Sequence, residues 1–283
     1  MRDWSLLRAV NNRISLRNLL LLLLLSVIVL LAFWFMGKST IFRRDRTWET
    51  MQSQATWRVA IDPSFPPFEQ LNEQNQVVGY DVDLAEAMSQ SWGMKLEIVP
   101  TSFDSLIDAL LAGHVDSVLS ALPYDPRLTQ DVSYSTAYFE SGIMLVVRNN
   151  SPIQKIEELG DNSIIAVELG SAGDVITRRW QREKATTTVK RFETPEDAIA
   201  ALQNDPTIDA LLIDNVSLRI AQGRGAAIRS VGAALESNPY VIAMPLGAFE
   251  LQKKVEDSLL AMRTANGFAT IEAQWFGKGE TKP

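Results

Sequence analysis

The stretch WRVAIDPSFPPFEQLNEQNQVVGYDVDLAEAMSQSWGMKLEIVP, Trp57 to Pro100, decides the fold. A short apolar run, WRVAID, precedes a Pro-rich turn. The helical pattern DVDLAEAMSQSW follows, and then a second apolar run, KLEIVP. The order repeats downstream with FDSLIDALLAG (103–113) and SVLSAL (117–122). Short apolar runs alternating with helical patterns predict βαβ units around a largely parallel sheet.

A second series has the same form. SIIAVEL (163–169) leads into AGDVITRRWQRE (172–183), TTVKRF (187–192) into PEDAIAALQ (195–203), and DALLID (209–214) into NVSLRIAQG (215–223). Two series predict two lobes, lobe 1 from 56–143 and 237–283 and lobe 2 from 144–236. AYFESGIMLVVR (137–148) and ESNPYVIAMP (236–245) are the β-prone stretches expected to cross between them. The amphipathic patterns FELQKKVEDSLLAMR and GFATIEAQWFG are expected to pack back on lobe 1.

The head of the chain differs. Leu19 to Met36 is apolar except for Ser26, about 27 Å of helix, just enough for a bilayer core. Basic residues flank both ends, so charge gives little orientation signal. The bulky LAFWFM before Gly37 reads as an uncleaved signal anchor rather than a cleaved signal. The expected plan is a tail over 1–18, a transmembrane anchor over 19–36, a polar tether over 37–55, and an extracytoplasmic globular body.

Residues 1–50 carry eight basic and three acidic side chains, leaving the body at net −12. An acidic body argues against nucleic-acid binding. There is no cysteine and one histidine, His114, which removes thiolate chemistry and multi-histidine metal sites. His114 itself reads as surface. No cofactor or metal is expected.

Candidate site residues follow from position. Phe65 sits in a turn stiffened by Pro66 and Pro67, and Phe103 opens a helix. Two aromatic faces suit a cation, although both residues could be core. Asp62 and Asp214 end strands, where ligands bind in open α/β sheets and where aspartate also serves as a helix N-cap. Ser171, at a helix start in ELGSAGD, offers N–H groups to an anion or is a cap only, and Glu168 precedes it. Arg127, in SALPYDPRLTQDVSYS (120–135), is either an anion clamp or surface charge.

In order and spacing these stretches resemble the bacterial solute-binding proteins of the polar amino-acid type, family 3, which serve ABC importers. The resemblance covers nearly all of Trp57 to Gly277. It implies the type 2 periplasmic-binding-protein fold, α/β, with two lobes joined by two crossing strands and closing on a small molecule. By resemblance Phe65 and Phe103 wall the ligand, Asp214 pairs with its α-ammonium and Asp62 contacts its far end. Glu168 matches a position that varies with the ligand, and Ser120 and Ala121 fall on contacting positions. The arginine that clamps the α-carboxylate falls on Leu128 in a gapless match and its partner threonine on Pro123, which leaves Arg127 facing solvent unless the loop shifts register. The remaining cleft composition suits an ammonium better than a carboxylate. The implied partners are an amino acid or cationic amine and ABC permease subunits, with membrane attachment through the N-terminal helix and no chemistry. Two alternatives stand beside this reading: a tethered sensor acting through another subunit, and a dehydratase on the same fold with Glu168 as general acid.

Overall fold

The computed structural model describes residues 20–30, 46–160, 162–183 and 188–277. Residues 20–30 form a helix, α1, in a unit separate from the one that begins at Arg46. Among the described residues no helix is long and apolar enough to cross a membrane. The expected anchor is described only at 20–30; its remainder, the tail 1–18 and the tether up to residue 45 lie outside the described residues.

The last part of the expected tether is corrected. Thr47–Gln54 is a helix, α2, that buries Trp48 and Met51. Trp48 meets Trp92 edge-on at 5.5 Å, and the Lys254 ammonium lies 5.4 Å from its ring. Two apolar residues spaced i, i+3 share one helix face, enough to dock a segment whose other residues are polar. The folded body therefore starts at Arg46, ahead of the expected start at Thr56.

The first sheet has five strands. Its parallel part is β1 (Thr56–Ile61), flanked by β5 (Lys95–Pro100) and β6 (Ser117–Val118). A small antiparallel sheet of β2 (Ser64–Phe65), β3 (Glu69–Leu71) and β4 (Val77–Val78) follows β1. It leads into α3 (Tyr80–Ser91), where Tyr80, Leu84, Ala85 and Met88 are buried on one face. Gly79 is required at this join, because a Cβ there would run into the Phe68 carbonyl. Helix α4 (Leu106–Leu111) connects β5 to β6 and buries Leu106 and Leu110. Strand β7 (Val132–Tyr134) closes the edge.

The chain crosses through β8 (Phe139–Glu140) and enters the second sheet at β9 (Ile143–Arg148), one residue before the expected boundary. That sheet has the order β11, β10, β12, β9, β13, with β10 (Ile164–Glu168), β11 (Thr188–Phe192) and β12 (Ala210–Asp214) parallel and β9 antiparallel to both neighbours. Helices α5 (Ala172–Glu183), α6 (Pro195–Asn204) and α7 (Asn215–Gly223) alternate with these strands. After β13 (Ile228–Glu236) the chain returns through β14 (Pro239–Tyr240), which pairs with β8, and β15 (Ala243–Pro245), which enters the first sheet between β6 and β7. Both sheets are thus mixed rather than largely parallel, since each return through the crossing adds antiparallel pairs. Helices α8 (Phe249–Thr264) and α9 (Gly267–Trp275) bury Leu251, Val255, Leu259 and Ile271 in the lobe 1 core, as expected.

The crossing is built from aromatic packing and a carboxylate. Phe68 lies 5.0 to 5.7 Å from Phe139, Tyr240, Tyr80 and Phe276. The Glu140 side chain accepts from Gly142 N (2.9 Å), Asn238 N (2.6 Å) and Ser237 Oγ (2.5 Å), tying the outgoing segment to the returning one.

Candidate functional site

A cavity of about 520 Å³ opens beside the crossing. Phe65 and Pro66 line it from lobe 1, Ala172 and Asp214 from lobe 2, and Ser141, Glu236 and Tyr240 from the crossing segments. Phe65 is 44 % exposed, and its buried side lies parallel to Phe68 at 5.8 Å. The ring is therefore held by the aromatic stack with one face left to the cavity.

Asp214 ends β12 and caps α7, with Oδ1 accepting from Ser217 N at 2.8 Å. The cap fixes the carboxylate at the cavity wall and leaves Oδ2 without a protein partner among the described residues. The two sequence readings of Asp214 are thus compatible. Asp62 makes a long-range contact instead: its Oδ2 accepts from Phe103 N at 2.8 Å, at the first residue of a short 3-10 turn whose N-cap is Ser102. Phe103 is 47 % exposed. Asp62, Phe103, Glu168 and Ser171 are not among the residues lining the cavity at Phe65 and Asp214. Ser171 caps α5, accepting from Asp174 N at 3.2 Å and donating to the Glu168 carbonyl at 2.8 Å.

Ser120 and Ala121 are buried and their polar groups are engaged. The Ser120 hydroxyl accepts from Asp62 N and donates to Glu69 Oε1, both at 2.9 Å. Ala121 adopts φ +40° and donates its N–H to Asp81 Oδ2 at 2.6 Å. Neither side chain reaches the cavity. The side chain of Arg127 is 87 % exposed and pairs with Asp125 at 2.6 Å, whereas Leu128 packs against the lobe 1 core. The backbone of this loop pairs with the returning strand instead, through a Pro123–Tyr240 bridge and the Tyr124 N–H on the Pro239 carbonyl at 3.0 Å.

The sequence reading missed two buried carboxylate arrangements. Glu69 and Asp81 are buried with no cation in contact among the described residues; Tyr138 donates to Asp81 Oδ2 at 2.9 Å, and Glu69 Oε2 and Asp81 Oδ1 are buried without a donor among them. Burial and the neighbouring charge push Glu69 up strongly, and burial raises Asp81. The two carboxyls interact, and a proton retained by the pair turns one carboxylate oxygen into a donor. In lobe 2, Asp174 is also buried, but it accepts from Gly170 N (3.1 Å), Arg178 (2.8 Å) and Arg191 (2.7 Å). Burial alone would raise it; Arg178, the Gly170 N–H and Arg191 outweigh burial and hold it at about 2. The acidic residues within PPFEQL and GYDVDL were the available signal for the first pair. For Asp174 it was an aspartate in the first turn of an otherwise arginine-rich helix.

Two α/β lobes, two crossing strands and a cavity between them define a cleft-type binding protein. The chain belongs to the bacterial extracellular solute-binding proteins, family 3, which it matches over residues 57–278. It is 26 % identical to a putative ABC transporter arginine-binding protein 2 of Escherichia coli strain K12, over 79 % of this chain and 91 % of that protein. A solved ancestral cationic amino acid solute-binding protein is 26 % identical and aligns with TM-score 0.57 over 81 % of this chain and 99 % of that one. An ancestral cyclohexadienyl dehydratase aligns at 19 % identity and TM-score 0.69 over 83 % and 98 %, a likeness of fold alone.

Proposed function

We propose that this protein captures an amino acid or related small amine in the cleft and delivers it to ABC permease subunits. One observation carries the reading: Phe65 of lobe 1 and Asp214 of lobe 2 line the same cavity beside the crossing strands. An ammonium placed there meets an aromatic face on one side and a carboxylate oxygen on the other. Lobe 1 is assigned to 46–142 and 237–277 and lobe 2 to 143–236, moving as bodies about Gly142, where a Cβ would run into the Glu236 carbonyl. The apolar Leu19–Met36 run is assigned as the membrane tether of an extracytoplasmic body. The relative named for arginine supports a cationic solute, and the reading assigns no reaction to the cleft.

Small-angle scattering of the full chain in detergent, with basic amino acids and their amines, tests the reading. Compaction with saturating solute is expected, and Asp214→Asn should abolish it. An unchanged radius with every solute would overturn the reading. Carbonate washing of membranes tests the tether, which fails if a soluble form starting after Gly37 is recovered.

A further inference from the structure

Three groups of the two lobes could hold a carboxylate, but each is already taken and none lines the cavity. The Arg127 guanidinium is turned to solvent on Asp125. At the start of α5 the Gly170 N–H is held by Asp174, and after β6 the Ala121 N–H is held by Asp81. No lysine or arginine lines the cavity among the described residues, while two carboxylates, Asp214 and Glu236, do.

Those two carboxylates are placed by register. Asp214 of β12 and Glu236 of β13 each pair with Ile143, on opposite sides of β9. Two strand spacings, about 9 to 10 Å, therefore separate their Cα atoms. Among the described residues Glu236 has one cationic neighbour, Arg179 on α5, at 3.4 Å, with the side chains 44 % and 53 % exposed. A single long contact between two exposed groups is weak, so a ligand cation displaces it at little cost.

We infer that the cleft selects a linear organic dication without a carboxylate, one cationic end on Asp214 and the other on Glu236, with Phe65 covering the chain between. This rests on the solute-capture reading above and narrows it: Glu236 becomes the residue that sets the class of solute, with Arg179 its weak internal partner. Relatives named for amino acids take solutes that carry a carboxylate, so the inference is a departure from them that binding can expose.

The test is calorimetry on the full chain in detergent with three matched pairs: putrescine and ornithine, cadaverine and lysine, agmatine and arginine. Each amine is expected to bind at least as tightly as its amino acid. Glu236→Gln should weaken the diamines about tenfold or more while leaving the monoamine butylamine within about twofold, which also reports that the variant is folded. Arg179→Gln should leave diamine affinity unchanged or tighten it. Amino acids binding about tenfold tighter than their amines, with that preference lost in Arg179→Gln, would overturn the inference, make Arg179 the carboxylate partner, and leave solute capture standing. Absence of heat from every member of all three pairs, together with an unchanged scattering radius, would remove both.

Discussion

In lobe 1 Glu69 and Asp81 are buried without a cation partner among the described residues, whereas in lobe 2 Asp174 is gripped by Arg178 and Arg191. The two arrangements do the same mechanical work. Asp81 accepts the N–H of Ala121 just after β6, and Asp174 accepts the N–H of Gly170 just after β10. Each therefore fixes the turn at the carboxyl end of a central strand, where an open α/β sheet presents its ligand site. The raised carboxyls favour a retained proton in one lobe, and guanidinium groups balance the charge in the other. Burial of an unpaired carboxylate is too costly for either to stay bare, but the two solutions respond to pH with opposite sign.

Removing the lobe 1 anchor is expected to have the largest effect. Asp81→Ala leaves the Ala121 N–H and the Tyr138 hydroxyl without their acceptor inside the core, and a non-glycine residue at φ +40° loses the bond that holds it there. Two buried donors left unsatisfied cost about 3 kcal/mol. Urea unfolding at pH 7 measures this directly, and a loss below about 1 kcal/mol would mean that the turn is held by its pairing with β14 instead.

Asp174→Ala is expected to cost about 2 kcal/mol at pH 7, because the hydrogen bonds lost involve charged groups but the arginines left behind can still reach water. The sign follows from the depressed native value. A carboxyl held at about 2, against 3.8 when unperturbed, contributes stability above pH 4 and loses it as pH falls from about 4 towards 2. The gap between wild type and variant should therefore close in acid. A gap that persists at pH 2 would assign the contribution of Asp174 to packing, and the contrast between the lobes would lose its electrostatic basis.

The alternation of strands and helices was legible because its signal is periodic and local: each expected element has a counterpart, although SVLSAL is strand only over Ser117–Val118 and FDSLIDALLAG is α-helical only over Leu106–Leu111. The tether was misread because two residues, Trp48 and Met51, suffice to dock α2 while composition averages over ten. The antiparallel members of each sheet were not legible, since they depend on how the crossing strands return. At the site, Phe65 and Asp214 were legible from a turn and a strand end. Glu236 was not, because its position against Ile143 exists only once β9 and β13 pair around an irregularity between Val231 and Glu236. The Glu69–Asp81 pair is legible as two acidic residues but not as a pair, being brought together by β3 and α3 across twelve positions of sequence.

The remaining way to sharpen the comparison is to replace the shared proton by chemistry. Above about pH 4.5 an unfolded chain ionises both Glu69 and Asp81, while the native pair retains a proton because burial raises both carboxyls and the Asp81 charge raises Glu69 further. The native state therefore binds one more proton than the unfolded state, and its stability falls as pH rises, by about 1.4 kcal/mol per pH unit for one proton. Glu69→Gln supplies permanent neutrality. Its amide can donate to the orphaned Asp81 Oδ1 while its oxygen accepts from Ser120 Oγ. The variant keeps the bonds and loses the slope, so its stability relative to wild type should rise by about 1.4 kcal/mol between pH 6 and pH 7. Asp174 is ionised in both proteins throughout that interval, so its contribution cancels from the difference. Urea unfolding of both proteins at pH 5, 6 and 7 gives the comparison, and a difference that stays flat across the three values would mean that the native pair holds no proton and that Glu69 and Asp81 are neutralised by something other than each other.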